Sequence, residues 1–198
     1  MEVKVFGVIG SGQMGNGIAQ VAAASGLTVI MNDIQQEFVD KGLKTIAGIL
    51  TRSVEKGKMA AAEKDALLGR IKGSVSLQDL AAADFVVEAA TERQDIKFKI
   101  FRDLDQICPP GSILATNTSS IPIGRIAAQT RRPDKVIGMH FMNPVPVMKL
   151  VEVIRALPTS DETYQDTVDL AVKMGKVPAL AGDYPGFIAN RILLPMIN

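Results

Sequence analysis

His140 is the only histidine of the chain, and the next apolar run carries a single acid, Glu152. His140 lies at the end of the apolar run "KVIGMHF", and a short proline-containing turn leads to "MKLVEVI", which contains Glu152. If the turn returns the second strand beside the first, the carboxylate can hydrogen-bond one imidazole nitrogen, fix the tautomer and make the other nitrogen a better base. The alternative is that Glu152 faces solvent on a half-exposed strand, which the alternation of residues 150–153 permits.

A glycine-rich hexapeptide, residues 10–15, fits the pattern G-x-G-x-x-G between a predicted strand and a predicted helix. In that context Gly10 makes the tight turn, Gly12 lets the backbone approach a pyrophosphate, and Gly15 lets the helix pack on the strand. The first N–H groups of the helix, around Gln13 and Met14, then face the phosphates. The alternative is an ordinary glycine-rich turn. The position at the end of the first strand favours a dinucleotide site.

Asp33 ends the second predicted strand, downstream of the glycine loop. An acid at this place can accept hydrogen bonds from the adenosine ribose, and it would repel a 2′-phosphate. The sequence therefore predicts NAD rather than NADP as the cofactor. The alternative is a solvated aspartate at the end of a strand, with no ligand.

Further polar side chains lie at the ends of other predicted strands. Asn117 lies at the end of "SILATN", and Ser119 and Ser120 follow it. Asn143 follows the strand of His140, and Glu92 follows "DFVVEAA". Open α/β sheets bind their ligands at the carboxyl ends of the strands. We therefore expect these side chains to share one edge of the sheet with the glycine loop.

The elements that must position these residues alternate along the chain. Short runs rich in Val and Ile between helical patterns predict an α/β fold, with a doubly wound, mostly parallel sheet of the Rossmann type and a helical excursion after the second strand. The turn before "MKLVEVI" is too short for a helical crossover, so that strand pair is predicted to be antiparallel or offset. The predicted strands are residues 4–10, 27–33, 84–90, 112–117, 135–141, 148–154 and 176–182, and the predicted helices are residues 13–25, 34–56, 60–71, 92–106, 123–129 and 161–175.

Two domains are predicted from this order. Residues 1–183 form the nucleotide-binding domain, and residues 184–198 form the first helix of a C-terminal helical domain that is missing or only begun. That last helix is apolar around its whole circumference, so it must be buried against something. A following domain and another chain are the two candidates for its cover.

The composition excludes several classes of function. With 22 Lys and Arg against 21 Asp and Glu among 198 residues, the charge balance gives no support to binding of nucleic acid or of a membrane surface. One cysteine excludes an internal disulfide, and one histidine with one cysteine excludes a His/Cys metal cluster, so no metal site is expected. The amino-terminal residues lack a signal peptide, which favours a cytoplasmic protein.

Five motifs, in order and with matching spacing, carry a family resemblance over essentially the whole chain. They are "GVIGSGQMGNGIAQ", "VVEAATE", "LATNTSSIPI", "GMHFMNPVPVMKLVEVI" and "PGFIANRILLPMIN". The chain resembles the N-terminal domain of the L-3-hydroxyacyl-CoA dehydrogenases, and in particular the bacterial 3-hydroxybutyryl-CoA dehydrogenases. Together these motifs are far more specific than the glycine loop alone.

The resemblance implies catalytic roles for four residues. His140 and Glu152 match the family's catalytic pair, and Ser119 of "NTSS" matches the serine that hydrogen-bonds the reacting oxygen. Asn190 matches the asparagine that contacts the substrate near the thioester. The implied reaction interconverts a 3-hydroxyacyl-CoA and the 3-oxoacyl-CoA with NAD, and His140 exchanges the proton of the 3-hydroxyl.

The resemblance also implies binding positions for cofactor and substrate. The full set of expected cofactor-binding residues includes the glycine loop and Asp33. It consists of Gly10, Gly12, Gln13, Met14, Gly15, Asp33, Glu92, Lys97, Asn117, Ser119 and Asn143. Thr51, Arg52 and Lys56, at the end of the long second helix, match positions that bind the CoA moiety. For these three, a solvated basic helix end that complements the helix dipole is the alternative.

The implied partners are an acyl-CoA substrate, such as acetoacetyl-CoA or 3-hydroxybutyryl-CoA, and a second copy of the chain. The homodimer is expected when the C-terminal domain is present. Two other readings stay open. One is a related dehydrogenase of a different hydroxy acid, such as a sugar acid, and the other is an NAD-binding module without turnover.

Overall fold

One sheet of eight strands organises the chain, which is described for residues 1–197 by a computed structural model. In chain order the strands are β1 (Val5–Ile9), β2 (Thr28–Asn32), β3 (Ile71–Ser74), β4 (Phe85–Glu88), β5 (Ile113–Thr116), β6 (Val136–Phe141), β7 (Leu150–Arg155) and β8 (Val177–Gly182). Their order across the sheet is β3-β2-β1-β4-β5-β6-β7-β8. All neighbours are parallel except β6 and β7. The predicted mostly parallel, doubly wound fold is confirmed.

Helices follow most of the strands. They are α1 (Gln13–Ala24), α2 (Gln36–Glu55), α3 (Ala61–Gly69), α4 (Gln94–Ile107), α5 (Ile123–Ala127), α6 (Asp161–Lys173) and α7 (Ala189–Ile197). Helix α6 begins where the sequence predicts, because the Ser160 hydroxyl accepts a hydrogen bond from the N–H of Thr163 at 3.1 Å. Such a cap satisfies one of the N–H groups that a helix start leaves unpaired.

Strand β3 has no counterpart among the predicted strands. The predicted helix over residues 60–71 ends at Gly69, and residues 71–74 instead form a strand parallel to β2. The sequence "IKGS" gives no strand signal, since only its first and last residues, Ile71 and Ser74, are buried. Residues 71–74 form a strand because their backbone pairs with β2, and not because of an apolar pattern of their own.

The core lies on both faces of the sheet. In β4, Phe85 and Val87 belong to one buried cluster, and Val86 between them belongs to a second. Phe85 stacks on Phe6 of β1, with ring centroids 5.7 Å apart. Because both faces are covered, the strands are continuously apolar rather than alternating.

The antiparallel pairing of β6 and β7 decides the position of the single histidine. The register places His140 directly opposite Glu152, and Phe141 opposite Val151. Residues directly opposite in such a pair have their side chains on the same face of the sheet, in reach of each other. The predicted return of the second strand beside the first is therefore confirmed.

Helix α7 leaves its apolar residues exposed. Ile192 is 57 % exposed and Met196 is 76 % exposed. That a following domain or another chain covers this helix stays a prediction, and Asn198, the last residue of the predicted segment 184–198, lies outside the described residues. Among residues 1–197, none of the helices has the length and apolar character needed to traverse a lipid bilayer.

The thiol of Cys108 is buried at the C-terminal end of α4. Its Sγ contacts the carbonyl oxygen of Leu80 at 3.6 Å, and burial raises its pKa from 9.0 to about 11. Because the thiolate is the reactive form, we expect no reaction with a disulfide reagent in the native state and one equivalent after unfolding in guanidinium. Rapid labelling of the native chain would contradict this assignment.

The same thiol makes stability depend on alkaline pH. The unfolded thiol ionises near its ordinary pKa of 9.0, whereas the folded one keeps its proton to about 11. This contribution to stability is therefore present below pH 9 and is lost as the pH rises through that window. Urea unfolding of the wild type and of Cys108→Ala across the window measures it.

Candidate active site

The glycine loop between β1 and α1 has the geometry that its spacing predicts. Gly10 has φ +94°, and a Cβ added there would lie 2.6 Å from the carbonyl oxygen of Ala89. A Cβ on Gly15 would lie 1.7 Å from the carbonyl oxygen of Gly10, so only glycine lets α1 approach β1 this closely. Around Gly12, by contrast, no heavy atom lies within 4 Å of an added Cβ. That open space is what a pyrophosphate needs to reach the backbone.

Asp33 holds the glycine loop from the end of β2. Its Oδ2 accepts hydrogen bonds from the N–H of Ser11 at 2.7 Å and from the Ser11 hydroxyl at 2.8 Å. Its Oδ1 accepts from the N–H of Ile34 at 2.8 Å. The carboxylate therefore fixes the loop and at the same time lies in the wall of the cavity beside it.

A cavity of about 1060 Å³ extends along this edge of the sheet. Gly10, Gly12 and Gln13 line it at the loop, and Asp33 lines it at the end of β2. Apolar residues of α2 and α4 widen it on one side, and the turn 143–146 closes it on the other. This turn directly follows β6, so the cavity ends next to the strand that carries His140.

His140 lies between two hydrogen-bonding partners. Its Nδ1 is 2.8 Å from Oε2 of Glu152, and its Nε2 is 3.0 Å from Oγ of Ser119. The carboxylate is 1 % exposed, so the alternative that Glu152 faces solvent is wrong. Since an ionised carboxylate only accepts hydrogen bonds, Nδ1 carries the ring proton and Nε2 presents its lone pair towards Ser119.

The second oxygen of Glu152 is bound by the turn that precedes α7. Its Oε1 accepts hydrogen bonds from the N–H groups of Ile188 at 2.9 Å and Ala189 at 2.8 Å. A buried carboxylate is costly unless its oxygens are paired. Here both oxygens are paired, one with the imidazole and one with backbone amides.

Ser119 is held in place by Glu92 from the neighbouring loop. Glu92 accepts a hydrogen bond from the N–H of Ser119 through Oε1 and one from the Thr118 hydroxyl through Oε2, at 2.8 Å. Asn190 of α7 lies on the other side, with Nδ2 3.4 Å from the carbonyl oxygen of Ser119. The structure thus brings together all four predicted catalytic residues, which come from three separate regions of the chain.

Comparison with known proteins decides the family. A family model described as "3-hydroxyacyl-CoA dehydrogenase, NAD binding domain" matches residues 5–184. The chain belongs to the 3-hydroxyacyl-CoA dehydrogenase family. It is 54 % identical over 198 residues to a probable 3-hydroxybutyryl-CoA dehydrogenase of Bacillus subtilis, covering 100 % of this chain and 69 % of that protein.

Further relatives of the 3-hydroxyacyl-CoA dehydrogenase family agree with this assignment. A 3-hydroxybutyryl-CoA dehydrogenase of Bradyrhizobium diazoefficiens is 48 % identical, covering 99 % of this chain and 67 % of that protein. The crystal structure of (S)-3-hydroxybutyryl-CoA dehydrogenase from Ralstonia eutropha superposes with a TM-score of 0.98 at 51 % identity. That match covers 100 % of this chain and 70 % of the crystallised chain.

The residues at the loop fit the NAD that this family's domain binds. The space above Gly12 is open, and the first turn of α1 contains no acidic residue that would repel a phosphate. The Asp33 carboxylate lies in the cavity wall where a ribose hydroxyl can donate to it. NAD is therefore the cofactor of this domain.

Lys97 has its ammonium group turned towards protein carboxylates. It is 2 % exposed, its Nζ lies 2.6 Å from Oε2 of the fully buried Glu88, and Oε2 of Glu92 is 3.9 Å away. Glu88 is a lone acid within the apolar run "FVVEAA", which is the same sequence signal that marks Glu152. Direct contact of Lys97 and Glu92 with the cofactor stays a prediction.

Two other predicted cofactor residues have structural partners. Asn117 accepts a hydrogen bond through Oδ1 from the N–H of Phe141 at 2.8 Å, which ties the end of β5 to the end of β6 next to His140. Met14 packs, partly buried, against the core. Their contact with the cofactor likewise stays a prediction.

The turn that carries Asn143 is bound by Lys176, the residue before β8, for which no role was predicted. Lys176 is 7 % exposed and donates to the carbonyl oxygens of Val145 and, at 2.9 Å, Met148. Burial lowers the pKa of this ammonium group. A single lysine at the start of a strand gives no sequence signal for this role, because its partners are backbone carbonyls of a distant turn.

The three predicted CoA-binding residues lie apart from this assembly. Thr51, Arg52 and Lys56 are partly or fully exposed at the C-terminal end of α2. The α2 residues that line the cavity lie between Phe38 and Ile49, so none of the three is among them. Contact of these three residues with the CoA moiety therefore stays a prediction.

Replacement of Asp33 tests the choice of cofactor. We expect Asp33→Asn to reduce the preference for NADH over NADPH about tenfold, which corresponds to about 1.4 kcal/mol. The reason is that the negative charge that repels a 2′-phosphate is removed while the side chain keeps its shape. Fluorescence titration with both nucleotides measures the ratio.

Asp40→Asn, on the exposed side of α2, is the control for the change in net charge. It should leave the ratio of the two dissociation constants unchanged. An unaltered ratio in Asp33→Asn would exclude Asp33 as the discriminating residue.

Proposed function

We propose that the chain catalyses the reversible, NAD-dependent oxidation of a 3-hydroxyacyl-CoA, with 3-hydroxybutyryl-CoA as the substrate. The observation that carries this proposal is the line of contacts Glu152–His140–Ser119, next to the turn 143–146 that lines the cavity. It combines a histidine in a defined tautomer with a hydroxyl group aimed at its free nitrogen. The names of the relatives support the acyl-CoA substrate.

His140 acts as the general base in the oxidation. Its Nε2 lone pair takes the proton of the 3-hydroxyl, and in the reverse direction the imidazolium returns it to the forming alkoxide. Glu152 contributes by keeping the proton of the neutral ring on Nδ1 and by stabilising the imidazolium that forms. When bound, NAD supplies the hydride transfer, which is the chemistry of the nicotinamide ring.

Ser119 and Asn190 orient the substrate in this proposal. The Ser119 hydroxyl lies 3.0 Å from Nε2, so a substrate oxygen that faces both groups can hydrogen-bond to both. Asn190, next to the backbone of Ser119, is close enough to bind the thioester region. The cofactor is held by Gly12, Asp33 and the turn with Asn143.

We further propose that residues 1–183 are the NAD-binding domain and that residues from 184 onward belong to a separate helical unit. The end of the family match at residue 184 and the exposed apolar side chains of α7 support this division. The homodimer, the cytoplasmic location and the CoA contacts of Thr51, Arg52 and Lys56 are part of the same proposal. Replacement of Arg52 and Lys56 tests the CoA contacts, since it should weaken binding of CoA but not of NADH.

A coupled measurement tests the reaction. The purified chain is mixed with NADH and acetoacetyl-CoA, and the loss of NADH absorbance is followed. Free acetoacetate and a sugar acid paired with NAD serve as competing substrates. Oxidation of NADH with the thioester supports the proposal, and turnover of only a free acid would favour a dehydrogenase of another hydroxy acid. A folded chain that binds NADH but turns over none of these substrates would overturn the enzymatic proposal.

A further inference from the structure

The turn before α7 has an unusual backbone at the point where it meets the catalytic pair. Among residues 1–197, Phe187 is the only residue other than glycine with a positive φ, at 51°. For a side chain larger than hydrogen this left-handed conformation costs free energy, and it persists only where the surroundings enforce it. Gly186 before it also has a positive φ, at 75°.

This backbone directs two consecutive amides at one oxygen. Directly after Phe187, the N–H groups of Ile188 and Ala189 both donate to Oε1 of Glu152, at 2.9 Å and 2.8 Å. Successive amides of an extended strand point in opposite directions, so two consecutive donors on one atom require such a turn. The carboxylate also lies at the first turn of α7, where the helix dipole favours a negative charge.

The ring of Phe187 meets the other member of the pair. Its centroid is 5.9 Å from that of the His140 imidazole, and the two planes stand at 62°, an edge-to-face contact. Phe187 is 4 % exposed and packs in the same buried cluster as Phe101. Glycine would adopt this backbone without strain, as Gly186 does, but it would leave the face of the imidazole uncovered.

We propose that the turn 186–189 is a positioning element for proton transfer, in which the amides of Ile188 and Ala189 fix Glu152 and the ring of Phe187 fixes His140. That this pair is catalytic rests on the proposed function. The positioning itself does not, because it concerns the orientation and tautomer of the imidazole. Movement of the turn would free one carboxylate oxygen and one side of the ring together.

Nitrogen-15 NMR of the imidazole tests the positioning directly, because the chain has a single histidine and the spectrum needs no assignment. In the wild type we expect one protonated nitrogen, Nδ1, and one unprotonated nitrogen, Nε2. In Phe187→Leu, which keeps apolar bulk but removes the ring, we expect a mixture of both tautomers. Phe101→Leu, in the same cluster but on α4, is the matched control and should keep the wild-type spectrum.

A second variant removes one amide instead of the ring. Ala189 is the first residue of α7, a position where proline is well tolerated and where it deletes the N–H that donates to Glu152. We expect Ala189→Pro to give the same mixture of tautomers. Ala61→Pro is the matched control. Ala61 is the first residue of α3, and Ala60 before it has the extended backbone that proline favours in the preceding residue.

Activity gives the second readout. In both turn variants we expect kcat with acetoacetyl-CoA to fall between about tenfold and a hundredfold, because small displacements of catalytic groups have effects of this size. The KM for NADH should stay within about twofold, because the turn contacts Glu152 of β7, and strands β4, β5 and β6 separate β7 from β1 and the glycine loop. Uniform binding of the cofactor is then unchanged. Thermal unfolding of each variant confirms that it is folded.

Wild-type tautomers in both turn variants would overturn the positioning role. So would an equal disturbance in Phe101→Leu, because the effect would then be one of general packing. If the wild type shows the single Nδ1 tautomer but no turnover, the proposed function fails while the positioning is still decided by the NMR spectra. The two failures are therefore distinguishable.

Discussion

Replacement of His140 by glutamine is expected to lower the rate of NADH oxidation with acetoacetyl-CoA by about 10²- to 10⁴-fold, the usual contribution of a positioned acid or base. Glutamine keeps a polar side chain opposite Glu152 but cannot exchange a proton near neutral pH. Because His140 lies beyond the turn that closes the cavity, the dissociation constant of NADH should change by less than about threefold. Steady-state rates and fluorescence titration measure the two quantities.

Ser120→Ala is a suitable control for this variant. Ser120 is exposed and lies one residue from Ser119, so its replacement tests the sensitivity of the same loop to a small change. The control should retain wild-type turnover. A large loss of NADH affinity in His140→Gln, or a rate equal to that of the wild type, would contradict the role of His140 as the general base.

The second large effect concerns the glycine loop, where two glycines are required for different reasons. Gly15→Ala should destabilise the fold by several kcal/mol, since backbone conflicts are among the changes with the largest effects on stability. A Cβ there would lie 1.7 Å from the carbonyl oxygen of Gly10, so the start of α1 must move away from β1. The displaced α1 would also lose the amides that face the phosphates, and NADH binding should be lost. Urea unfolding and titration with NADH measure both effects.

Gly12→Ala is the matched substitution in the same loop. An added Cβ meets no atom within 4 Å, and φ is −63°, which alanine adopts readily. The stability should therefore change by less than about 1 kcal/mol. The methyl group would occupy the space of the pyrophosphate, so the affinity for NADH should fall by about tenfold or more. Equal NADH affinity in wild type and Gly12→Ala would place the pyrophosphate elsewhere.

Local signals in the sequence were sufficient for the glycine loop and for Asp33. A tight turn with φ +94° at Gly10 and a close helix approach at Gly15 need glycine whatever the rest of the chain does. Their spacing therefore predicts the turn without knowledge of the tertiary structure. Asp33 follows from the same unit, because it ends the strand next to the loop.

The pairing of His140 with Glu152 needed more than local signals. Sequence alternation allowed Glu152 to face either the core or solvent, and a shift of register by one residue would have reversed it. The short turn predicted an antiparallel or offset pair, because it leaves no room for a helical crossover. The register that places Glu152 opposite His140 is a property of the whole sheet.

Other contributions to the site had no sequence signal of their own. Strand β3 is made by its neighbour, and Lys176 binds carbonyl groups of a turn far from it in sequence. Lys97 and Glu88 are only nine residues apart in sequence, but that they form a buried ion pair is seen only in the tertiary structure. The conformation of Phe187 is likewise imposed by its packing.

The sequence by itself thus determined the α/β class, the dinucleotide loop, the choice of NAD and the residue types for proton transfer. These depend on steric and chemical requirements that act over a few residues. Only the tertiary structure decided how the imidazole is held, with Glu152 and Ser119 on its two nitrogens and Phe187 against its ring. The physical reason is that orientation and burial come from contacts between segments that are distant in sequence, and such contacts leave no local pattern.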